Sequence, residues 1–379
     1  MMKYIKVAVP DDFSEETESF NIGDQTFPIW KPVYTDVLDH GHIGLVDFLG
    51  ADQSIVNAAR VSYQKGTTRT SNNRGLIRYM MKHLHMTPFE MCSFVFHVKA
   101  PIFVFRQWHR HRTAHINEMS GRYSVLEETT YFPSFQNLAP QSKTNNQGRV
   151  DETLTENDYF AVRAIFDHVY REAFIGYNHV LGPKEIKDES GAVIGTATSN
   201  PPDAIEARRL FVEQAAVNAL RKARDLNSEK VWTEEDIQEV IEDFYIANDL
   251  AIVSKEFPGI ARELARMLLP VATYSEMYWK CDLRNIFNFI RLRADPHAQY
   301  EIRVYAEEMY KLIEPFVPLA CEAFNDYIAL AKTLSKYEVD IVKGFVSALT
   351  GEDKIKIEAS MLENGSSKRE IGEFFSTFS

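Results

Sequence analysis

Apolar residues along the chain recur with different periods, and the period separates helix-forming from strand-forming stretches. Ser93-Phe-Val-Phe-His-Val-Lys99 is dense in aromatic and branched residues, which predicts a strand. Ala100-Pro101 then opens a helix predicted from Ile102 to about Arg110. Upstream, Gly44 to Asp52 and Ser54 to Ser62 have apolar spacing near 3.6 and predict a short helix pair. Residues 152 to 181 read as helical, and from Ala204 onward the helical pattern is strong. Thr233 with Asp236 resembles a capping box ahead of Ile237, Val240, Ile241 and Phe244. A helix from Pro258 to Leu269 would carry Arg262 and Arg266 on one face and Ile260, Leu264 and Met267 on the other. Residues 283 to 293 set Arg284, Asn288 and Arg291 at i, i+4 and i+7, with Asn285 and Arg293 extending that polar side. Ala298 to Ile313 is amphipathic through Ile302, Tyr305, Met309 and Leu312. The tail beyond about 317 is further helix, and Phe374, Phe375 and Phe378 read as a docking segment.

Breakers divide this pattern. Pro10, Pro28 and Pro32 make residues 1 to 43 a strand-and-loop leader, and Thr87-Pro88-Phe89-Glu90 is a tight turn or a helix start. Asn137 to Arg149 reads as an exposed polar loop, and Lys184 to Asp203 holds two glycines and a Pro-Pro pair, so 137 to 205 is an insertion or lid. No internal repeat of fixed period is present.

Composition narrows the class. A 379-residue chain with 45% hydrophobic and 12% aromatic residues has ample material for a core. Cys92, Cys281 and Cys321 make neither a C-x-x-C nor a zinc spacing, so a reducing, cytoplasmic compartment is the simplest expectation. The N-terminus has no long apolar stretch before a small-residue cleavage site, and no segment approaches the length of a membrane span. The formal charge of −12 argues against nonspecific nucleic-acid binding.

Against that acidic balance, Arg106, Arg110, Arg112 and Arg122 crowd together, with no Asp or Glu between Glu90 and Glu118. Like charges at such density need a bound anion or a facing carboxylate, and a guanidinium fork matches phosphate oxygens. The competing reading is a solvated basic face. Phe103, Phe105, Trp108 and Ile116 interleave with the arginines, and Ser120-Gly121 is a turn able to approach a ligand. No G-x-G-x-x-G or P-loop is present. His83, His85, His109, His111 and His115 invite a metal reading, but only His111 and His115 share i, i+4 spacing and the arginines repel a cation, so no metal is expected. A thiol nucleophile at Cys92 or Cys281 lacks a readable partner base. Ser120 reads better as a phosphate donor than as a nucleophile.

Arg110-His111-Arg112 followed after seven residues by Ser120, extended through Asn117, Glu118, Gly121, Arg122 and Tyr123, resembles the signature of the flavin-dependent thymidylate synthases. The block from Trp279 to Ile302 resembles that family's second motif, and the resemblance covers roughly 44 to 136 and 206 to 316. It implies conversion of dUMP to dTMP, a one-carbon unit from methylenetetrahydrofolate, reducing equivalents from NADPH through FAD, and a homotetramer with active sites shared between chains. The implied fold is an α+β subunit, with a sheet and a largely helical second half. The implied catalytic domain is 44–316, interrupted at about 137–205 and flanked by extensions at 1–43 and 317–379.

Carried over by position, Ser62, His85, Thr87, Arg110, His111, Arg112, Glu118, Asp282, Arg284 and Asn288 would contact FAD. Gln107, Arg110, Glu118, Ser120, Gly121, Arg122, Arg266 and Arg293 would hold dUMP. Arg293 is the expected catalytic residue: a guanidinium cannot act as a base, but it can stabilise negative charge on the pyrimidine without a covalent enzyme adduct. Three positions depart from the family pattern: His115 where Ser is common, Met91 where His is common, and Asp282 where Asn is common. The alternative of a different class is a single-stranded nucleic-acid or nucleotide-binding protein using the arginine and aromatic residues of 103 to 123.

Overall fold

Strand alternation builds the centre of the molecule. In the computed structural model, which describes residues 19–22, 25–28, 31–61, 72–143, 148–150, 154–182, 184–187, 193–197 and 259–378, nine strands are formed. Strands β1 (Ser19–Ile22) and β2 (Gln25–Pro28) pair with each other. The main sheet takes β3 (Val33–Val37), β4 (Gly41–Leu49), β5 (Ser93–Pro101), β6 (His115–Glu118) and, after a separate hairpin of β7 (Lys184–Lys187) and β8 (Val193–Ala197), β9 (Tyr274–Asp282). Its order is β3-β4-β5-β9-β6, antiparallel throughout.

Phe94, Phe96, Val98 and Ala100 of β5 are buried, as are Met277, Trp279 and Cys281 of β9. Period-two alternation puts them on one face. Against that face pack helices from both halves of the chain: α1 (Asp52–Arg60), α2 (Asn73–Lys82), α3 (Ile102–Trp108) and, past α4 (Glu156–Val180) and the single turn α5 (Arg262–Ala265), α6 (Leu283–Arg293), α7 (Tyr300–Ile313) and α8 (Pro318–Phe324). The other face is polar; there the Tyr34 hydroxyl lies 3.1 Å from Nδ1 of His97, whose Nε2 lies 3.0 Å from the Glu276 carboxylate. The combination of one antiparallel sheet and surrounding helices is the α+β class that the sequence implied.

Two expectations fail. The stretch from Gly44 is strand, not the first of a helix pair. A register shift between Leu45 and Asp47 breaks its alternation, so two successive apolar positions mimic helical spacing. The second member of the pair is helical, as α1. The helix predicted from Pro258 to Leu269 shrinks to α5 and a 3-10 turn, Arg266–Leu268, and its apolar face stays open, with Met267 75% exposed. Strands β6 and β9 were not predicted; β9 runs straight into α6, so a single apolar run covers two elements. The capping box at Thr233 lies outside the described residues. The tail forms three more helices, α9 (Lys336–Ser347), α10 (Gly351–Glu363) and α11 (Lys368–Phe378).

Candidate active site

The site grows from the end of α3. His109 N–H donates to the Phe105 carbonyl and His111 N–H to that of Trp108, closing the helix before the chain turns through Arg110-His111-Arg112 into β6. Trp108, Trp279 and Phe289 form a buried ring cluster, with Trp108 and Phe289 centroids 4.6 Å apart. His111 meets Phe289 edge-on at 4.8 Å, so this cluster roots the arginine loop. The interleaved aromatics are therefore largely core: Phe105 and Trp108 are buried and present no stacking platform for bases.

Across from the loop stands α6. Leu283, Ile286, Phe287, Phe289 and Ile290 face the core, leaving Arg284, Asn288 and Arg291 exposed as their spacing predicted. Loop and helix enclose a cavity of about 260 Å³ lined by Arg110, His111, Arg112, Asn285, Asn288 and Arg293, with Cys281 at its floor. Arg293 Nε donates to His111 Nε2 at 3.1 Å, and its Nη2 donates to the Gln107 carbonyl at 3.2 Å. Burial, reinforced by the Arg293 charge, brings the His111 imidazole down to about 4. It is thus neutral near pH 7, and because Nε2 accepts from Arg293, the proton sits on Nδ1. Burial also lowers the Arg293 pKa, which leaves a guanidinium that is still charged.

The compensation question raised by the arginines has a local answer. Arg110 and Arg112 are exposed beside the cavity and form no ion pair among the described residues, while Arg122 pairs with Glu263 at 2.9 Å and Arg284 with Glu90 at 2.5 Å. Two unpaired guanidiniums, the carboxamides of Asn285 and Asn288, and an imidazole N–H make a donor set that fits the pyrophosphate of a dinucleotide such as FAD.

A second group lies after β6. Ser120 Oγ accepts from the Arg122 N–H at 3.3 Å, and Gly121 is buried against Arg266, where an added Cβ would meet Cδ at 3.2 Å. Of the two arginines that the helical reading placed on one face, Arg262 donates to the Tyr123 carbonyl at 2.7 Å, drawing the short helix onto the 120–124 turn. Glu118, at the end of β6 just before this turn, accepts from Ser275 Oγ at 3.3 Å and lies 3.5 Å from His109 Nε2. A third group is less compact: Thr87, exposed, opens the 3-10 turn Thr87–Met91 whose Glu90 pairs with Arg284 of α6, while His85, also exposed, lies against the Tyr79 and His83 rings. Asp282 is the N-cap of α6. One carboxylate oxygen accepts from the Asn285 N–H at 3.0 Å and the other from the Asn285 side chain at 2.7 Å. The carboxylate thus serves the helix end, a role an Asn oxygen also fills, and both of its oxygens already have partners. Ser62 lies outside the described residues.

The three cysteines are buried. Burial first, then the Asp52 charge, pushes the Cys92 thiol up to about 12; burial likewise raises Cys281, whose Sγ–H donates to the Thr113 carbonyl at 3.2 Å. Neither is an activated nucleophile. No group of three or more metal-ligating side chains is present among the described residues. Sequence reasoning left Asn285 out of the site, although it stands one turn from Asn288.

A family model described as "Thymidylate synthase complementing protein" matches residues 44–319. The flavin-dependent thymidylate synthase of Rickettsia bellii is 38% identical over 342 residues, covering 90% of this chain and 92% of that protein. The chain belongs to the flavin-dependent thymidylate synthase family. A flavin-dependent thymidylate synthase from Ruegeria pomeroyi is also 38% identical, over 307 residues covering 81% of this chain and 78% of its own. Among solved structures, the UMP/dUMP methylase PolB from Streptomyces cacaoi, bound with 5-Br UMP, aligns with a TM-score of 0.51 at 27% identity, over 78% of this chain and 99% of that one. The family match begins at Gly44, inside β4, so the edge strand β3 precedes it.

Proposed function

We propose that the protein is a flavin-dependent thymidylate synthase that methylates dUMP reductively to dTMP, with FAD as cofactor, methylenetetrahydrofolate as one-carbon donor and NADPH as reductant. The observation that carries this reading is the cavity in which Arg110 and Arg112 lack ion-pair partners among the described residues, beside the Arg293–His111 pair. Arg110, His111 and Arg112 would hold the flavin dinucleotide with Arg284 and Asn288, and His85 and Thr87 would complete its contacts. Ser62, Glu118 and Asp282 stay in the proposed set from family position, Asp282 acting through the α6 cap. When bound, the flavin supplies the hydride chemistry that side chains cannot perform.

The rest falls to this chain's own residues. Ser120, the Gly121 backbone, Arg122 and Arg266 would receive the dUMP phosphate, for which the turn and its flanking cations supply donors and charge. Arg293, held at Nε and Nη2 by His111 and Gln107, keeps its remaining N–H groups for negative charge developing on the pyrimidine, raising reactivity at C5 without an enzyme nucleophile. Active sites are shared between chains of a homotetramer. Exposed Ile260, Leu264, Met267, Leu268 and Val271, next to the proposed phosphate turn, are the surface that subunit contact would cover. The catalytic unit spans 44–316 with the insertion at about 137–205, and its location is cytoplasmic; no helix among the described residues is long and apolar enough to cross a membrane.

The visible spectrum of the purified protein tests the reading, first as isolated and then anaerobically with NADPH, dUMP and methylenetetrahydrofolate. Flavin bands that bleach with NADPH and return as dTMP forms are expected. A colourless protein that takes up no added FAD would overturn it.

A further inference from the structure

The second residue of α7, Glu301, is 3% exposed and lies outside every group described so far. Its carboxylate only accepts hydrogen bonds. Oε1 receives the Tyr131 hydroxyl at 3.0 Å and Arg149 Nη2 at 3.0 Å; Oε2 receives Arg149 at 3.2 Å and Gln299 Nε2 at 2.9 Å. Burial, then the Glu301 charge, keeps the Tyr131 hydroxyl protonated, so it remains a donor. The polarity of this centre is therefore fixed from one end.

That polarity propagates. Because Gln299 spends its amide N–H on Glu301, its Oε1 turns away and accepts Gln107 Nε2 at 2.5 Å. Gln107 in turn offers its main-chain carbonyl to Arg293 Nη2 at 3.2 Å. A carboxamide left alone can flip end for end, exchanging donor and acceptor. Here the buried carboxylate decides which end of Gln107 faces Gln299, so its Nε2 is committed to Gln299 and its Oε1 is the free acceptor end. The cation that balances Glu301 comes from the insertion, since Arg149 also donates to the Asn137 carbonyl and places its guanidinium 5.6 Å from the Tyr300 ring centroid.

We propose that Glu301 and Gln299 are positioning residues for the nucleotide site, and that the 137–205 insertion acts on that site through Arg149, by way of the chain Arg149–Glu301–Gln299–Gln107. The inference rests on the reading of Gln107 as a dUMP contact. It gives the insertion a part in substrate binding that needs no movement and no direct contact with the nucleotide.

The test is equilibrium titration of FAD-loaded protein with dUMP, alongside steady-state kinetics. Gln299→Met removes the relay but leaves the buried Arg149–Glu301 pair in place. It should raise the dUMP Kd and KM about fivefold, the worth of one neutral hydrogen bond, with kcat and FAD content little changed. In a Gln107→Met background the same substitution should have no further effect on dUMP binding, because Gln299 acts only through Gln107. Glu301→Gln, which replaces an acceptor by a donor, should weaken dUMP at least as much. Since it leaves Arg149 without its charge partner, its thermal midpoint is read in parallel, and the Gln299 series stands whether or not this variant folds. An unchanged dUMP Kd in Gln299→Met, or an equal loss with and without Gln107, overturns the inference while leaving the proposed function intact. Wild-type protein that holds FAD yet binds no dUMP overturns the parent reading, and this one with it.

Discussion

At the residue scale the site is organised around one guanidinium and one neutral imidazole. Arg293→Ala should nearly abolish dTMP formation while flavin content persists; full turnover in that variant would remove the charge-stabilising role. Ser120→Ala should keep measurable turnover with weaker dUMP binding, because the Gly121 backbone and two arginines remain for the phosphate. For His111 the sign of the pH effect follows from the shift. Its folded value near 4 lies below the ordinary 6.5, so its contribution to stability is complete above about pH 6.5 and lost as pH falls toward 4. The wild-type denaturation midpoint should decline across that interval more steeply than that of His111→Gln. The arginine cluster was legible in the sequence because a run of like charges without nearby acids is visible in one dimension. The neutrality of His111 was not, since it depends on burial against Phe289 and on Arg293, which is 182 positions away.

At the element scale, caps and register decide what the site can present. Asp282 caps α6, the helix that carries Arg284, Asn288 and Arg293. Asp282→Ala should cost about 1 kcal/mol, whereas Asp282→Asn, the common family residue, keeps an N-cap oxygen and should be nearly neutral. Urea denaturation of the two variants checks the difference, and equal losses would deny the cap its importance. The period of 283 to 293 was strong enough to predict which residues of α6 face outward. The period of Gly44 to Leu49 misled, because the register shift near Leu45 places adjacent apolar residues where a strand should alternate. Around Arg262 the pattern was helical, but hydrogen bonding to Tyr123 and a 3-10 turn at Arg266 hold the segment to little more than one turn of helix.

At the scale of the whole molecule, the C-terminal extension docks through charge more than through its phenylalanines. Phe374 and Phe378 line an open cavity of about 520 Å³, while Ile371 is the buried apolar contact of α11. Arg78 of α2, 6% exposed at its side chain, binds Glu322, Asp326 and Glu370, and Lys82 binds Glu373 at 2.5 Å. Arg78→Met should therefore destabilise the protein by about 3 kcal/mol, as expected when three carboxylates lose a mostly buried partner. Although burial pushes it up, hydrogen bonds from Tyr327, Ser367 and Arg78 hold the Glu370 carboxyl down to about 2. A depressed carboxylate contributes above its ordinary value near 4.5 and loses that contribution as pH falls toward 2. Protection of the α11 amides, taken relative to their intrinsic exchange rates at each pH, should fall below about pH 4.5 before that of the central sheet strands; a simultaneous fall would mean the tail is an integral part of the core.

By itself the sequence determined the chemistry on offer: an arginine loop ending in a serine-glycine turn, a helix with one polar side, and cysteines without partners. Those properties reside in residue type and local spacing, which folding does not alter. Only the tertiary structure decided which of these groups meet. Among the described residues it gave Arg110 and Arg112 no carboxylate while giving Arg122 and Arg284 one each, and it set Arg293 against His111. It also connected the insertion's Arg149 to Gln107 through a buried Glu301. The physical reason is that burial and partner choice are long-range quantities: the desolvation and hydrogen-bond acceptors that govern each group come from segments distant in the chain.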